Sequence, residues 1–213
     1  MPEYVYKAFP REEFADEFIG AGRFRIGSLK HYKTIEDDNR IDKTEGEASY
    51  TFEDDLQQIH ITLDSEETRT STKRGQMHVS GSWGNPTYIF CTSLPGTDLD
   101  YLRDRFGRYI VRISNVEQFI HGMQEAIRRT TYPFIGNGHV RGRTVEYSKD
   151  LELPADLEEV ASCELAYYQK PPEYSCEQEY RFVAMMDAIN PPDELPDFIE
   201  LDFGGNIEYA ERC

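Results

Sequence analysis

A chain of 213 residues is long enough for one domain with a buried core, and its 14 Tyr and 12 Phe supply apolar surface that a disordered chain lacks. A net charge of −17 argues against general duplex binding, and no apolar run approaches the roughly 20 residues that cross a bilayer. The start Met1-Pro2-Glu3-Tyr4 lacks the basic start and apolar core expected of a signal peptide, and Cys91, Cys163, Cys176 and Cys213 show no CxxC spacing, so a cytoplasmic protein with reduced thiols and no zinc site is expected.

In chain order, Tyr4–Phe9 alternates like a strand, and Pro10 opens a helix with Phe14 and Phe18 one turn apart. Gly20 and Gly22 end it, and Arg23–Gly27 is the next strand. Ala48–Phe52, Gln58–Leu63 and Gln76–Ser82 read as strands of an acidic, hairpin-rich insertion over 36–82, with a mobile loop over Asp64–Gly75. Thr87–Cys91 has the apolar run of a buried strand. After a strand over Arg108–Ile113, Ser114 and Glu117 form a capping-box pair. Val116, Phe119, Ile120, Met123 and Ile127 then make one apolar helical stripe. Further strands are predicted at Arg143–Tyr147, Glu164–Tyr168, Tyr180–Met186 and Phe198–Phe203, with a loop or short helix at Leu151–Val160. The expected fold is a single α+β domain with mostly antiparallel strands, divided between two facing sheets, and two or three helices.

Charge is unevenly spread. Residues 36–67 hold twelve acidic and two basic side chains and residues 150–213 hold seventeen and three, whereas 101–149 hold nine basic and four acidic. The acidic runs suit solvated faces. Arg103, Arg105, Arg108 and Arg112 are expected to share a surface that meets either a phosphate-bearing ligand or the acidic stretch Asp150–Glu159.

The most informative stretch is Cys176-Glu177-Gln178-Glu179-Tyr180-Arg181, which enters an apolar run. On a strand, Glu177 and Glu179 would project from one face, and two carboxylates side by side repel, so one pKa should rise. The bland reading is an exposed, polar strand start. The alternative readings are Lys7 as a solvent-facing strand residue and Thr92-Ser93 before Leu94-Pro95-Gly96 as a turn cap. Asp42, Glu45 and Glu47 are a weak divalent-cation candidate in an acidic loop.

Three separated elements resemble ADP-ribosyltransferases: the opening strand, helix and strand over Tyr4–Ser28, Cys91-Thr92-Ser93 closing an apolar strand, and Glu177-Gln178-Glu179 entering another. Their order is that of the family, and together they span most of residues 4–186. The resemblance implies split antiparallel sheets and NAD as the substrate. It implies that Glu179 stabilises the ribosyl cation and that Glu177 orients or deprotonates the acceptor, with Ser93 and Thr92 supporting Glu179. A Gln at position 179 would then remove the charge while leaving the fold intact. Lys7 stands where the family carries an Arg or His that grips NAD, a departure because ammonium lacks the guanidinium fork. Arg23 or Arg25 would reach the pyrophosphate in its place, with Tyr32 as a further NAD contact.

The run Phe24–Tyr32, with Lys170-Pro171, Tyr174 and Glu177–Arg181, also resembles a group of prokaryotic proteins linked with toxin or antiphage defence loci. The transferase resemblance implies an unknown acceptor macromolecule, with nucleic acid entering only as acceptor, and the second resemblance implies a prokaryotic or phage origin and an antitoxin or defence partner protein. Two other readings compete: an acidic, non-enzymatic protein that binds a basic partner as an inhibitor or nucleic-acid mimic, and a metal-dependent nuclease using Asp42 and Glu45.

Overall fold

The structure, a computed structural model, describes residues 1–34, 47–53, 71–73, 76–82, 86–147, 167–187, 192 and 194–213. Strand β1 (Val5–Phe9) leads into helix α1 (Glu12–Ala21), whose N-cap is Arg11, so Pro10 lies before the cap and not at the first helical position. Gly22 ends α1 at φ 66°, where a Cβ would stand 2.4 Å from the carbonyl oxygen of Gly205. Only glycine fits that left-handed turn, which releases the chain into β2 (Arg23–Ser28). Helix α2 (Leu29–Thr34) follows at once and was not expected, because six residues are too few for a helical period to register.

Strands β3 (Glu47–Glu53), β4 (Ser71–Lys73) and β5 (Gln76–Ser82) form a three-stranded antiparallel sheet in the order β3-β5-β4. Residues 71–73, expected in a loop, therefore pair with β5, whereas the predicted strand 58–63 lies outside the described residues.

The main sheet is built on β6 (Thr87–Ser93). It continues through helix α3 (Leu99–Arg105), β7 (Tyr109–Ile113), helix α4 (Val116–Arg128) and β8 (Val140–Thr144). After the two-residue strands β9 (Glu146–Tyr147) and β10 (Gln169–Lys170) come β11 (Glu179–Met185), β12 (Phe198–Asp202) and β13 (Ala210–Arg212). Eight strands join in the order β12-β2-β6-β1-β7-β13, with β11 attached to β6 and β8 to β11, and every one of these pairings is antiparallel. The fold is thus α+β and mostly antiparallel. The strands expected in two facing sheets instead hydrogen-bond into one.

That sheet forks. Strand β11 pairs with β6 along its whole length, Thr87 to Ser93, whereas β2 meets β6 only at Tyr88 and Ile89 and β1 only at Ser93. Beyond those contacts β1 turns to β7 and β2 to β12. Phe18 of α1, Phe24 of β2, Phe90 of β6 and Phe119 of α4 interlock at the fork, with ring centroids 4.9–6.1 Å apart.

Helix α4 buries Val116, Phe119, Met123 and Ile127 of the predicted stripe, with Ile120 at its margin. Each large side chain buried in this way contributes about 1.5–3 kcal/mol. Its cap is Asn115, whose side chain accepts the Gln118 amide at 2.9 Å, while Ser114 donates to the Tyr209 carbonyl at 3.0 Å, so the predicted capping box is displaced by one residue. Tyr167 and Tyr168, expected in a strand, lie in a helical turn and fill a cluster with Leu29, Ile89 and Val183. Of the basic band, Arg112 pairs with Glu211 of β13 and Arg103 with Asp100, and the acidic stretch 150–159 lies outside the described residues.

Candidate functional site

The fork opens a cavity of ≈ 850 Å³, within the range of small-molecule sites. Thr92 and Ser93 at the end of β6, with Glu177 and Glu179, form its polar inner end. Lys7 of β1, Arg23 and Arg25 of β2 and Tyr32 of α2 line its arms. All eight residues that the ADP-ribosyltransferase resemblance implicates therefore surround one space, although they come from five separate segments.

The two glutamates converge for a different reason from the one the sequence suggests. Strand β11 begins at Glu179, Glu177 is the last residue of a 3-10 turn (Pro172–Glu177), and Gln178 between them is left-handed at φ 41°, ψ 53°. A left-handed non-glycine residue costs about 1–2 kcal/mol. The position is held by neighbours: the Leu94 amide donates to the Gln178 carbonyl at 2.8 Å, and the Gln178 amide donates to the Ser175 carbonyl at 3.2 Å. Proline at the start of the turn suits a helical entry, not a strand.

Glu179 is gripped from behind. Arg181, two residues along β11 on the same face, donates through Nε to Oε1 at 2.8 Å and through Nη2 to Oε2 at 3.2 Å. Arg181 has no solvent exposure, and its Nη1 donates to the Tyr167 carbonyl at 2.8 Å. Lys170 Nζ lies 3.0 Å from Glu179 Oε2 and donates to Glu177 Oε2 at 2.7 Å. The Glu179 amide donates to the Tyr147 hydroxyl at 2.7 Å.

These contacts drive the two carboxyl groups apart. Burial pushes Glu179 up, but Arg181, then Lys170, and a hydrogen bond from the Cys91 thiol outweigh it and hold the carboxyl well below the usual carboxylate range. Burial also raises Glu177, Lys170 offsets part of that, and the charge of Glu179 adds to the rise. The surroundings thus favour the charged form of Glu179 and disfavour that of Glu177.

Ser93 faces Glu179 in register across the β6–β11 ladder. Thr92 commits its hydroxyl proton to the Tyr180 carbonyl at 2.7 Å, so its side chain ties β6 to β11 and does not donate to Glu179 as expected. Lys7 is no solvent-facing residue: Nζ donates to the Cys91 carbonyl at 2.9 Å and lies 4.6 Å from the Phe90 ring centroid. Burial pulls its pKa down, opposed by Cys91 and Glu179.

Arg23 and Arg25 reach the mouth of the cavity already paired, Arg23 with Asp202 at 3.2 Å and Arg25 with Glu200 at 2.6 Å. Both pairs are exposed, and such pairs contribute little to stability. Tyr32 packs over Gly27, where a Cβ would stand 2.7 Å from its ring. Gly27→Ala is expected to push Tyr32 off β2 and lower stability by about 1–3 kcal/mol, measurable by thermal unfolding together with the ring's NMR shift.

Sequence reading missed Lys170, Arg181, Tyr147 and Cys91 as members of this cluster. Asp42 and Glu45 lie outside the described residues. Among the described residues there is no group of three or more His, Cys, Asp or Glu able to hold a metal, and no helix long and apolar enough to cross a membrane. Comparison with protein-family models, curated proteins and solved structures finds no match to the chain.

Proposed function

We propose that the protein consumes NAD at this cavity, as an ADP-ribosyltransferase or NAD glycohydrolase with an ADP-ribosyltransferase-like fold. The observation that carries the reading is a pair of buried, neighbouring carboxylates, both reached by Lys170 and one gripped by Arg181, opening on one cavity with Ser93 in register beside Glu179. Pairs of titratable groups driven apart by their surroundings mark divided acid–base roles.

In this reading the C1′–N bond of the nicotinamide riboside breaks, and its electron pair passes to the ring nitrogen, which loses its positive charge. Glu179, preorganised by Arg181 and Lys170, presents a fixed anion toward the developing ribosyl cation. Glu177 accepts the proton of the attacking water or acceptor hydroxyl as the new C1′–O bond forms, and a raised pKa brings it closer to the range of an effective base. Lys7 and the mouth arginines meet the pyrophosphate, which displaces Asp202 and Glu200 from Arg23 and Arg25. A role as an effector in a bacterial or phage conflict system, with an acceptor macromolecule and an antitoxin or defence partner, rests on the sequence resemblance alone.

The test is incubation of the purified protein with NAD, following nicotinamide release with water and then with cell extract as acceptor. Release above the uncatalysed rate is expected. Absence of release with every acceptor would remove the reading and leave the acidic binding protein ahead.

A further inference from the structure

Strands β9 and β10 make a ribbon only two residues long, the parallel pairing among the named strands, and its register sets Lys170 opposite Tyr147. Both residues act on the same short stretch. The Tyr147 hydroxyl accepts the Glu179 amide at 2.7 Å, and Lys170 Nζ sits 2.7 Å from Glu177 and 3.0 Å from Glu179. The Lys170 side chain is 12% exposed, and its ammonium lies 5.2 Å from the ring centroid of Tyr174, within the turn that ends at Glu177. The glutamates line the cavity, whereas Lys170 stands behind them, outside its lining.

We propose that Lys170, carried by the β9–β10 ribbon, is a positioning residue that ties Glu177 to Glu179 and sets the proton affinity of Glu177. Two buried carboxylates cannot share a site as anions without a cation between them. Arg181 directs Nε and Nη2 to Glu179 and Nη1 to the Tyr167 carbonyl. Glu177 is faced by Glu179 of β11, by Arg105 and Tyr101 of α3 and by Tyr147 of β9. Lys170 is within ion-pair distance of both carboxylates, 2.7 Å from Glu177 and 3.0 Å from Glu179. The tie is independent of the substrate; only its catalytic consequence rests on the reading of Glu177 as the acceptor-side base.

The experiment is a titration of the Glu177 carboxyl in full-length protein carrying ¹³C-labelled glutamate, with the resonance assigned by its loss in Glu177→Gln. In Lys170→Met the midpoint is expected to rise by about one pH unit or more, and in Lys170→Arg to return most of the way. A midpoint that stays within about 0.3 unit of the unmutated protein in a folded Lys170→Met overturns the proposal. Should Lys170→Met fail to fold, the unmutated protein still decides: the Lys170 ¹⁵Nζ resonance should titrate with the Glu177 midpoint, and a resonance that passes through it unmoved overturns the tie. None of this requires NAD. A shifted midpoint without NAD turnover sinks the NAD reading alone, and NAD turnover with an unshifted midpoint sinks the tie alone.

Discussion

Arg181→Met is expected to destabilise the protein by about 3–5 kcal/mol, because it leaves Glu179 as a buried charge without its principal partner. Denaturant unfolding would measure it. The double variant Arg181→Met/Glu179→Gln should recover much of the loss, since a buried pair replaced together strands no charge. Singles and doubles that all unfold with the unmutated protein would show that the pair is not a buried ion pair in solution. The same pair makes stability depend on pH. Glu179 in the unfolded chain titrates near the ordinary value of about 4.3, and in the fold it is held far below. The unfolded state therefore binds the proton first, so this stabilisation is complete above that value and falls away as the pH drops below it. Because Arg181 pairs with Glu179, Glu179→Gln also alters a buried ion pair. An amide cannot accept both guanidinium bonds, so any loss of activity in that variant must be read beside its stability.

Glu177→Gln is the cleaner probe of chemistry. It is expected to lower NAD turnover by about 10²–10⁴-fold with little loss of fold, because a general base typically contributes that much and an amide still accepts from Lys170. Transfer to an acceptor should suffer more than hydrolysis, and Ser93→Ala should fall between the two glutamate variants. Turnover by the unmutated protein should decline as the pH falls below the raised pKa of Glu177, and that limb should vanish in Glu177→Gln. Turnover unchanged in Glu177→Gln would exclude the residue as the base.

Much of the sheet was legible because β1, β2, β6 and β11 carry aromatic and β-branched runs between turn residues, and the α4 stripe repeats at helical spacing. Helices α2 and α3 were not, being of six and seven residues, although Asp98 before Leu99 is a good N-cap and accepts the Asp100 amide at 2.9 Å. At the site, Arg181 could have been paired with Glu179 from sequence: an arginine inside an apolar strand needs a carboxylate, and period two puts one beside it. Lys170 could not, because its reach to both carboxylates depends on the 3-10 turn and on left-handed Gln178, which local propensity disfavours.

The unequal ladders on β6 divide the cavity mechanically. Seven register pairs bind it to β11, against two to β2 and one to β1. Glu179 and Ser93 thus sit on a stiff stem, while Lys7, Arg23 and Arg25 ride on arms whose pairing near the fork is sparse. Local opening follows the least-bonded segments, so widening of the cavity should separate the arms before it disturbs the carboxylates. A bulky molecule can then be admitted by flexure of β1 against β2, with the reactive end of the cleft held still.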